Sequence, residues 1–147
     1  MAHLLDSNIL LRWANKNDPE RPLVLSAIQK LGQQGEVMHT TPQNYTEFWG
    51  SATRPVTGNG LGLTPLRAEL LVRQLRMLFP LLPDVGAIFE EWLRIVVTAS
   101  VSGRQVHDAR LVAVMLAHGI THILTFNVTD FQRYQVFGIT VVHPTET

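Results

Sequence analysis

Four acidic residues, far apart in the chain, lie at or near the edges of apolar segments: Asp6, Glu47, Asp108 and Asp130. Asp6 follows the strand-like run at 2–5, and Asp130 comes soon after the strand-like run at 122–125. Carboxylates gathered at one end of a sheet repel each other, and a fold tolerates that repulsion mainly when a divalent cation neutralises it. Hard oxygen ligands suit Mg²⁺ or Mn²⁺. The four acids therefore indicate metal-dependent chemistry on phosphate groups.

Each acid also has a purely structural interpretation. Asp6 suits the N-cap of a helix, and Asp108 would be stabilised by about 0.3–1 kcal/mol in the first turn of one. Glu47 taken alone reads as a solvated helix residue, and Asp130 as a turn residue. The joint interpretation is stronger because all four placements are compatible with the same edge of a sheet.

The apolar pattern predicts short strands that alternate with helices. Strands are expected at 2–5, 37–39, 123–126 and 139–142, and a fifth at 79–82. Helices are expected from residue 9 after a cap at Asp6, and at 23–31, 42–52, 65–78, 84–99 and 106–118. The stretch 54–65, with three glycines and two prolines, is expected to be a mobile loop. We therefore predict an α/β fold, with a mostly parallel sheet of four to five strands, helices on both faces and a single domain spanning 1–147.

This arrangement would bring the acids together. In an open parallel sheet, ligands gather beyond the carboxyl ends of the strands. Asp6 follows the first strand, whereas Asn127 and Asp130 follow the strand that ends near Thr125. Glu47 lies in the helix after the second strand. Asp108 begins a helix that starts at the same edge if its connection is right-handed.

Composition limits the classes of function. A chain of 147 residues, 46% apolar and 16% charged, is expected to be globular. A net charge of zero argues against a broad electrostatic surface for nucleic acid, although it allows a local basic rim. The absence of cysteine excludes disulfides and thiolate sites. No apolar run approaches the roughly 18 residues of a membrane span, and no signal peptide is visible, so a cytoplasmic protein without membrane contact is expected.

Several short motifs, taken in order, resemble the PIN-domain ribonucleases, and among them the VapC-type toxins of toxin–antitoxin pairs. They read Leu-Leu-Asp-Ser-Asn at 4–8, Tyr-Thr-Glu-Phe at 45–48, His-Asp-Ala-Arg-Leu at 107–111, His-Gly-Ile at 118–120, and Leu-Thr-Phe-Asn-Val-Thr-Asp-Phe at 124–131. Each motif is weak alone. Together they cover nearly the whole chain in the family's order.

The resemblance implies a sheet sandwiched by helices and an endoribonuclease dependent on Mg²⁺ or Mn²⁺. Asp6, Glu47 and Asp108 match the family's three most regular acids. Asn127 stands where many members have Asp, and Asp130 follows three residues later, so the fourth position stays divided between them. The implied catalytic residues are Asp6, Glu47, Asp108 and Asp130, and the implied metal ligands are Asp6, Asp108, Asp130 and Asn127. Ser7 and Thr125 match small hydroxyl positions near such a site.

Substrate and partners follow from the same resemblance. It implies an RNA substrate, an antitoxin bound in an apolar groove of the second and third helices, and a homodimer. Arginine outnumbers lysine by 10 to 2, and its planar fork suits phosphate. Arg104 and Arg110, which flank Asp108 in sequence, are the best candidates for an RNA-binding rim.

One alternative stays open, and others are disfavoured. Asn127 in an acidic position is compatible with a weak or inactive RNA-binding scaffold. A phosphoryl-acceptor receiver domain needs a late lysine, and no lysine follows Lys30. A phosphate-binding loop and a serine-hydrolase elbow both lack their sequence motifs.

Overall fold

Four short parallel strands form the centre of the protein. The computed structural model describes residues 1–147, and its strands are β1 (Ala2–Leu5), β2 (Val37–His39), β3 (His122–Leu124) and β4 (Thr140–Val142). Their order in the sheet is β2-β1-β3-β4. The central β1 pairs Leu4 with His39 on one side and with Ile123 on the other. The chain thus moves outward from β1 to β2 and returns across it to β3, which makes the β1–β3 boundary a topological switch point.

Seven α-helices surround the sheet. They are α1 (Ser7–Ala14), α2 (Arg21–Gln33), α3 (Pro42–Thr53), α4 (Pro65–Leu78), α5 (Ala87–Thr98), α6 (Val106–His118) and α7 (Val128–Phe131). Short 3₁₀ turns lie at 56–58, 103–105, 132–137 and 144–146. The predicted α/β fold, with a parallel sheet between helices, is confirmed, and the sheet has four strands.

The two faces of the sheet have separate apolar cores because successive strand residues point to opposite sides. Leu4 and Ile123 pack with α5 and α6, whereas Leu5 and Leu124 pack with the core that α1 to α4 share. Helix α6 is the most deeply buried, with six residues in the core: Ala109, Leu111, Val112, Ala113, Val114 and Met115. This burial fixes the start of α6, where Asp108 lies.

Local capping explains where α1 and α3 begin and where α6 ends. Asp6 is extended and accepts a hydrogen bond from the Ser7 amide at the start of α1. Thr41 caps α3 in a reciprocal pair with Asn44, and Pro42 takes the first helical turn, where no amide donor is needed. Gly119 ends α6 with a φ of 71°, a conformation that favours glycine.

Some boundaries differ from the sequence-based prediction. The strand expected at 79–82 is wrong: only one bridge joins Leu81 to Thr40. The Pro80 carbonyl accepts from the Thr40 amide, but Pro80 has no amide with which to extend the ladder. Helix α5 starts at Ala87, after Pro83 and Gly86, instead of at residue 84. The third strand ends at Leu124 instead of residue 126, and a short helix that was not predicted, α7, follows it.

The loop at 54–65 is held by backbone hydrogen bonds to α3. Leu61 and Leu63 donate to carbonyls of Ser51 and Ala52, and Gly62 donates to the Arg54 carbonyl at 2.8 Å. Gly60 packs so closely that an added Cβ would lie 2.1 Å from the Arg54 carbonyl oxygen.

Exposed apolar side chains are concentrated on α4 and on the segment around α5. They are Leu66, Leu70, Met77 and Leu78 on the first, and Val85, Phe89, Leu93 and Val97 on the second. Helix α2 adds only Leu25, and α3 adds no exposed large apolar residue. Few large apolar residues are therefore exposed where the groove between the second and third helices was expected, and that groove stays a prediction. No helix is both long and apolar enough to cross a membrane.

Candidate active site

Asp6 lies at the carboxyl end of the central strand and is almost fully buried, with 6% of its surface exposed. One carboxylate oxygen accepts the Ser7 amide at 2.7 Å. The other accepts the Thr125 hydroxyl at 2.7 Å and the Asn8 amide at 3.3 Å. Three donors from the ends of β1 and β3 therefore set the orientation of this carboxylate at the switch point.

Glu47 reaches the same edge from the second turn of α3. Its Oε1 accepts the Ser7 hydroxyl at 2.6 Å, and its Oε2 accepts the Gln43 side-chain amide at 3.4 Å. The Asn44 amide donates in turn to the Ser7 hydroxyl at 3.3 Å. Ser7, the first residue of α1, thus donates to both Asp6 and Glu47 and connects these two acids.

Asp108 lies in the first turn of α6 and is partly buried. Neither of its carboxylate oxygens has a hydrogen-bond donor within the protein, in contrast to Asp6 and Glu47. An acid without a donor, close to other acids, is available to an added cation or to water.

Asn127 and Asp130 lie together after β3, at the exposed side of the site. The backbone amide of Asn127 donates to the Thr125 hydroxyl at 2.9 Å. Asp130 lies in the first turn of α7. Thr125 therefore bridges Asp6 and the Asn127 backbone. The structure leaves both candidates for the fourth position at the same edge.

Burial and mutual repulsion perturb two of these acids. Burial raises the pKa of Asp6 to about 6 against the lowering effect of its donors, and the charges of Glu47 and Asp130 raise it further. Burial also raises the pKa of Asp108 to about 7, with added repulsion from Asp6, Asp130 and Glu47. The carboxylates of Asp6 and Asp108 are therefore close enough to each other, to Glu47 and to Asp130 for these charges to affect them.

The chemistry of this donor set fits a hard divalent cation, because oxygen ligands with unrelieved negative charge are what Mg²⁺ and Mn²⁺ bind. The side chains as they stand do not form a closed cage: no three Asp, Glu or His groups converge closely enough to hold an ion. Asp6 and Glu47 are turned toward their own hydrogen-bond donors, and like charges separate when nothing lies between them.

The two arginines expected at the rim differ. Arg104 is exposed and makes no hydrogen bond to the acids. Arg110 donates to Gln43 at 3.1 Å and to Asp84 at 3.4 Å, so its guanidinium is held beside α3. Arg110 is therefore the one that the fold attaches to the site.

Three amides join the site without having been predicted as part of it. Asn8 contacts both Asp6 and Thr125, and Asn44 contacts Ser7. Gln43 donates to Glu47 and to the His107 carbonyl, which links α3 to the start of α6. Gln43 and Asn44 lie one turn before Glu47, and that helical spacing is the only sequence signal that marks them.

The family model for the PIN domain matches residues 3–136 of the chain. No curated protein sequence matches it.

Solved structures resemble the fold over nearly the whole chain. VapBC2 from Rickettsia felis, bound to a DNA fragment from its promoter, has a TM-score of 0.73 at 11% identity, covering 97% of this chain and 98% of its own. VapBC-1 from nontypeable Haemophilus influenzae has a TM-score of 0.71 at 18% identity, covering 99% of each chain. VapC20 from Mycobacterium tuberculosis, a toxin that cleaves the sarcin–ricin loop, has a TM-score of 0.64 at 16% identity, covering 94% of this chain and 96% of its own. At such identities the likeness is one of fold.

Proposed function

The chain belongs to the PIN domain family, and from this premise we propose that it is a metal-dependent endoribonuclease of the VapC toxin type. The observation that carries the proposal is the shared environment of Asp6, Glu47, Asp108 and Asp130 at the switch point of the sheet. Acids whose pKa values are raised by burial and by one another are typical of functional sites. A purely structural role for four acids at one edge of the sheet would leave their repulsion without benefit.

The proposed ligands of Mg²⁺ or Mn²⁺ are Asp6, Asp108 and Asp130, and the side-chain carbonyl oxygen of Asn127 completes the set. Such an ion supplies Lewis-acid polarisation of the scissile phosphate and a more acidic bound water. Donors from Ser7, Asn8 and Thr125 keep the Asp6 carboxylate in one orientation. Hydrogen bonds of this kind orient carboxylates that ligate metals.

Glu47 is the acid proposed to orient the attacking water by accepting its hydrogen bond. Ser7 and Gln43 each donate to a different oxygen of its carboxylate, which restricts rotation of the group. Arg110 is the cation proposed to contact the phosphate backbone of the RNA. Its two hydrogen bonds, to Gln43 and Asp84, leave other guanidinium donors free. Arg104, exposed and unattached, is proposed only as an outer contact.

Cleavage of a fluorogenic RNA, titrated with Mn²⁺, tests this function. The parent protein is expected to cut only when metal is present, and Asp6→Asn or Asp108→Asn is expected to abolish cutting while the circular dichroism spectrum is retained. A purified variant that cuts as fast as the parent would overturn the mechanism. Metal-independent binding of RNA without cleavage would instead support the scaffold alternative that Asn127 suggests.

A protein partner is proposed as well. The two VapBC structures named above are toxin–antitoxin assemblies, and α4 carries an exposed apolar surface suited to an amphipathic segment. We propose that an antitoxin covers this surface and shields the acids, and that the protein forms a homodimer. Expression without a partner should slow growth of the host cells, and Asp6→Asn should relieve it. Equal growth of both strains would count against toxicity. A cytoplasmic location stays a prediction.

A further inference from the structure

A pocket open to solvent lies between the N-terminal ends of α5 and α6, directly beside the candidate active site. Its volume is about 500 Å³, within the range of about 300–1,000 Å³ usual for small-molecule sites. Val85, Phe89 and Trp92 form its apolar side, and Val106, His107 and Arg110 form the side toward α6. His107 immediately precedes Asp108, so the pocket and the acids share one helical turn.

The aromatic wall is exposed at Phe89 and held in place at Trp92. The rings of Phe89 and Trp92 lie 6.0 Å apart, tilted by 37°, and 60% of the Phe89 surface faces solvent. The Trp92 indole donates to the Val106 carbonyl at 2.9 Å, which fixes its ring against the start of α6. A rigid aromatic surface open to solvent is suited to a flat apolar ligand.

The polar rim is connected to the acids by hydrogen bonds. Arg110 donates to the Gln43 carbonyl oxygen at 3.1 Å, and Gln43 donates to the His107 carbonyl at 2.7 Å and to Glu47 at 3.4 Å. Arg110 also donates to the Asp84 carboxylate at 3.4 Å, and its guanidinium thus lies between the aromatic wall and the acids of the site. A ligand with a planar apolar part and an adjacent negative group would complement both features.

We propose that this pocket receives one unpaired base of the RNA substrate, with Arg110 on the phosphate that joins this base to the cleavage site. The inference rests on the proposed ribonuclease function and adds a subsite to it. Proteins recognise single-stranded RNA by stacking its bases on aromatic side chains, with arginine on its backbone. A second copy of the chain is a less suitable occupant because the pocket is concave and carries a cation at its rim. Leu93 and Val97, further along α5, offer the apolar surface that lies outside it.

The test compares how the removal of one RNA base and a substitution in the pocket affect binding, first separately and then together. The probes are labelled RNA hairpins with loops of four adenosines, cytidines, guanosines or uridines, and versions lacking one loop base at a time. Binding is measured with Asp6→Asn protein, which keeps the RNA intact. Loss of the base at one loop position should weaken binding by about tenfold or more, as expected for a stacked base. Adding Phe89→Ala should remove most of that dependence.

Gly86→Phe is the second variant, since it fills the pocket from a site where the backbone is ordinary and an added Cβ meets open space. It should remove the same dependence on one base. Val97→Ala, on the same helix but outside the pocket, is the matched control and should keep it.

The proposal is overturned if no hairpin binds, or if no loop position depends on Phe89. It is also overturned if Phe89→Ala and Gly86→Phe change the oligomeric state in sedimentation while every base penalty persists, since the pocket would then hold a protein. Cleavage of the hairpins by protein with Asp6 intact separates the two proposals. If the hairpins are cut but no loop base depends on Phe89, the ribonuclease proposal stands and the subsite is rejected. If one loop base depends on Phe89 but no hairpin is cut, the base-binding pocket stands and the ribonuclease proposal is rejected.

Discussion

The Ser7 hydroxyl donates a 2.6 Å hydrogen bond to the Glu47 carboxylate, although the two residues are 40 positions apart in sequence. The backbone amide of Ser7 also donates to the Asp6 carboxylate, which caps α1. One residue at the start of α1 therefore orients two acids through two different groups. Of these two groups of Ser7, only the hydroxyl can be removed by a substitution that leaves the backbone unchanged.

Ser7→Ala should slow RNA cleavage by roughly tenfold or more, because Glu47 would lose the stronger of its two donors. The loss in folding free energy should be about 1–3 kcal/mol, the range for a hydrogen bond to a charged group in a partly buried setting. Metal-dependent cleavage and thermal unfolding measure the two effects. Ser51→Ala, one turn beyond Glu47 on α3, is the control and should change neither rate nor melting temperature appreciably. An unchanged rate in Ser7→Ala would show that Glu47 needs no orientation.

Thr125→Val keeps the shape of the side chain but removes the hydroxyl that donates to Asp6 and accepts from the Asn127 amide. It should destabilise the protein by about 1–3 kcal/mol, because it leaves a buried carboxylate with fewer donors. Loss of that donor also raises the pKa of Asp6 further, so the acidic limb of the pH–rate profile should move to higher pH. Thr46→Val, on the exposed side of α3, should leave the profile unchanged.

The stability of the metal-free protein should decrease as pH rises from about 4 to about 7. The pKa of Asp6 rises from 3.8 in the unfolded chain to about 6, and that of Asp108 from 3.8 to about 7. A carboxyl with a raised folded pKa is most favourable when protonated, so its penalty begins above the unfolded pKa and is complete above the folded one. For the buried Asp6 this penalty is at most about 3 kcal/mol. Denaturant unfolding with chelator present should show the decrease, and the double variant Asp6→Asn with Asp108→Asn should show less of it.

Asp108→Asn should raise the melting temperature of the metal-free protein at neutral pH, since it removes one of four repelling charges. About 1 kcal/mol of relief would correspond to roughly 2–4 °C for a chain of this size. Adding Mn²⁺ should raise the melting temperature of the parent by mass action but that of the variant much less. Glu69→Gln, which removes an exposed acid on α4, serves as the control and should keep the full response to Mn²⁺. An equal response in Asp108→Asn would exclude Asp108 as a ligand.

Two glycine substitutions should act in opposite directions. Gly60→Ala should destabilise the protein, because its Cβ would lie 2.1 Å from the Arg54 carbonyl oxygen. Gly50→Ala should stabilise it by about 0.5–1 kcal/mol, since Gly50 lies within α3 and an added Cβ there meets open space. Urea unfolding of both variants measures the difference. A stable Gly60→Ala protein would mean that the loop moves away from Arg54 readily.

The sequence alone was sufficient for features that depend on near neighbours in the chain. Asp6, Thr41 with Pro42, and Gly119 mark helix ends because caps and turns require particular side chains within a few residues. The alternation of strands with helices predicted the parallel sheet, and the sheet in turn predicted that the acids share one edge. The fifth strand was predicted wrongly because its apolar character was given more weight than Pro80, whose missing amide limits the pairing to one bridge.

Only the tertiary structure decided how the acids are oriented and how far their charges are perturbed. The bonds of Ser7 to Glu47, Thr125 to Asp6 and Gln43 to His107 join residues 40 to 119 positions apart. Such contacts depend on how packed elements are placed relative to one another, and no local pattern encodes that placement. Burial acts in the same way: the protein around Asp6 and Asp108 withdraws both carboxyl groups from water and raises their pKa values, and the chemical group alone does not determine that change.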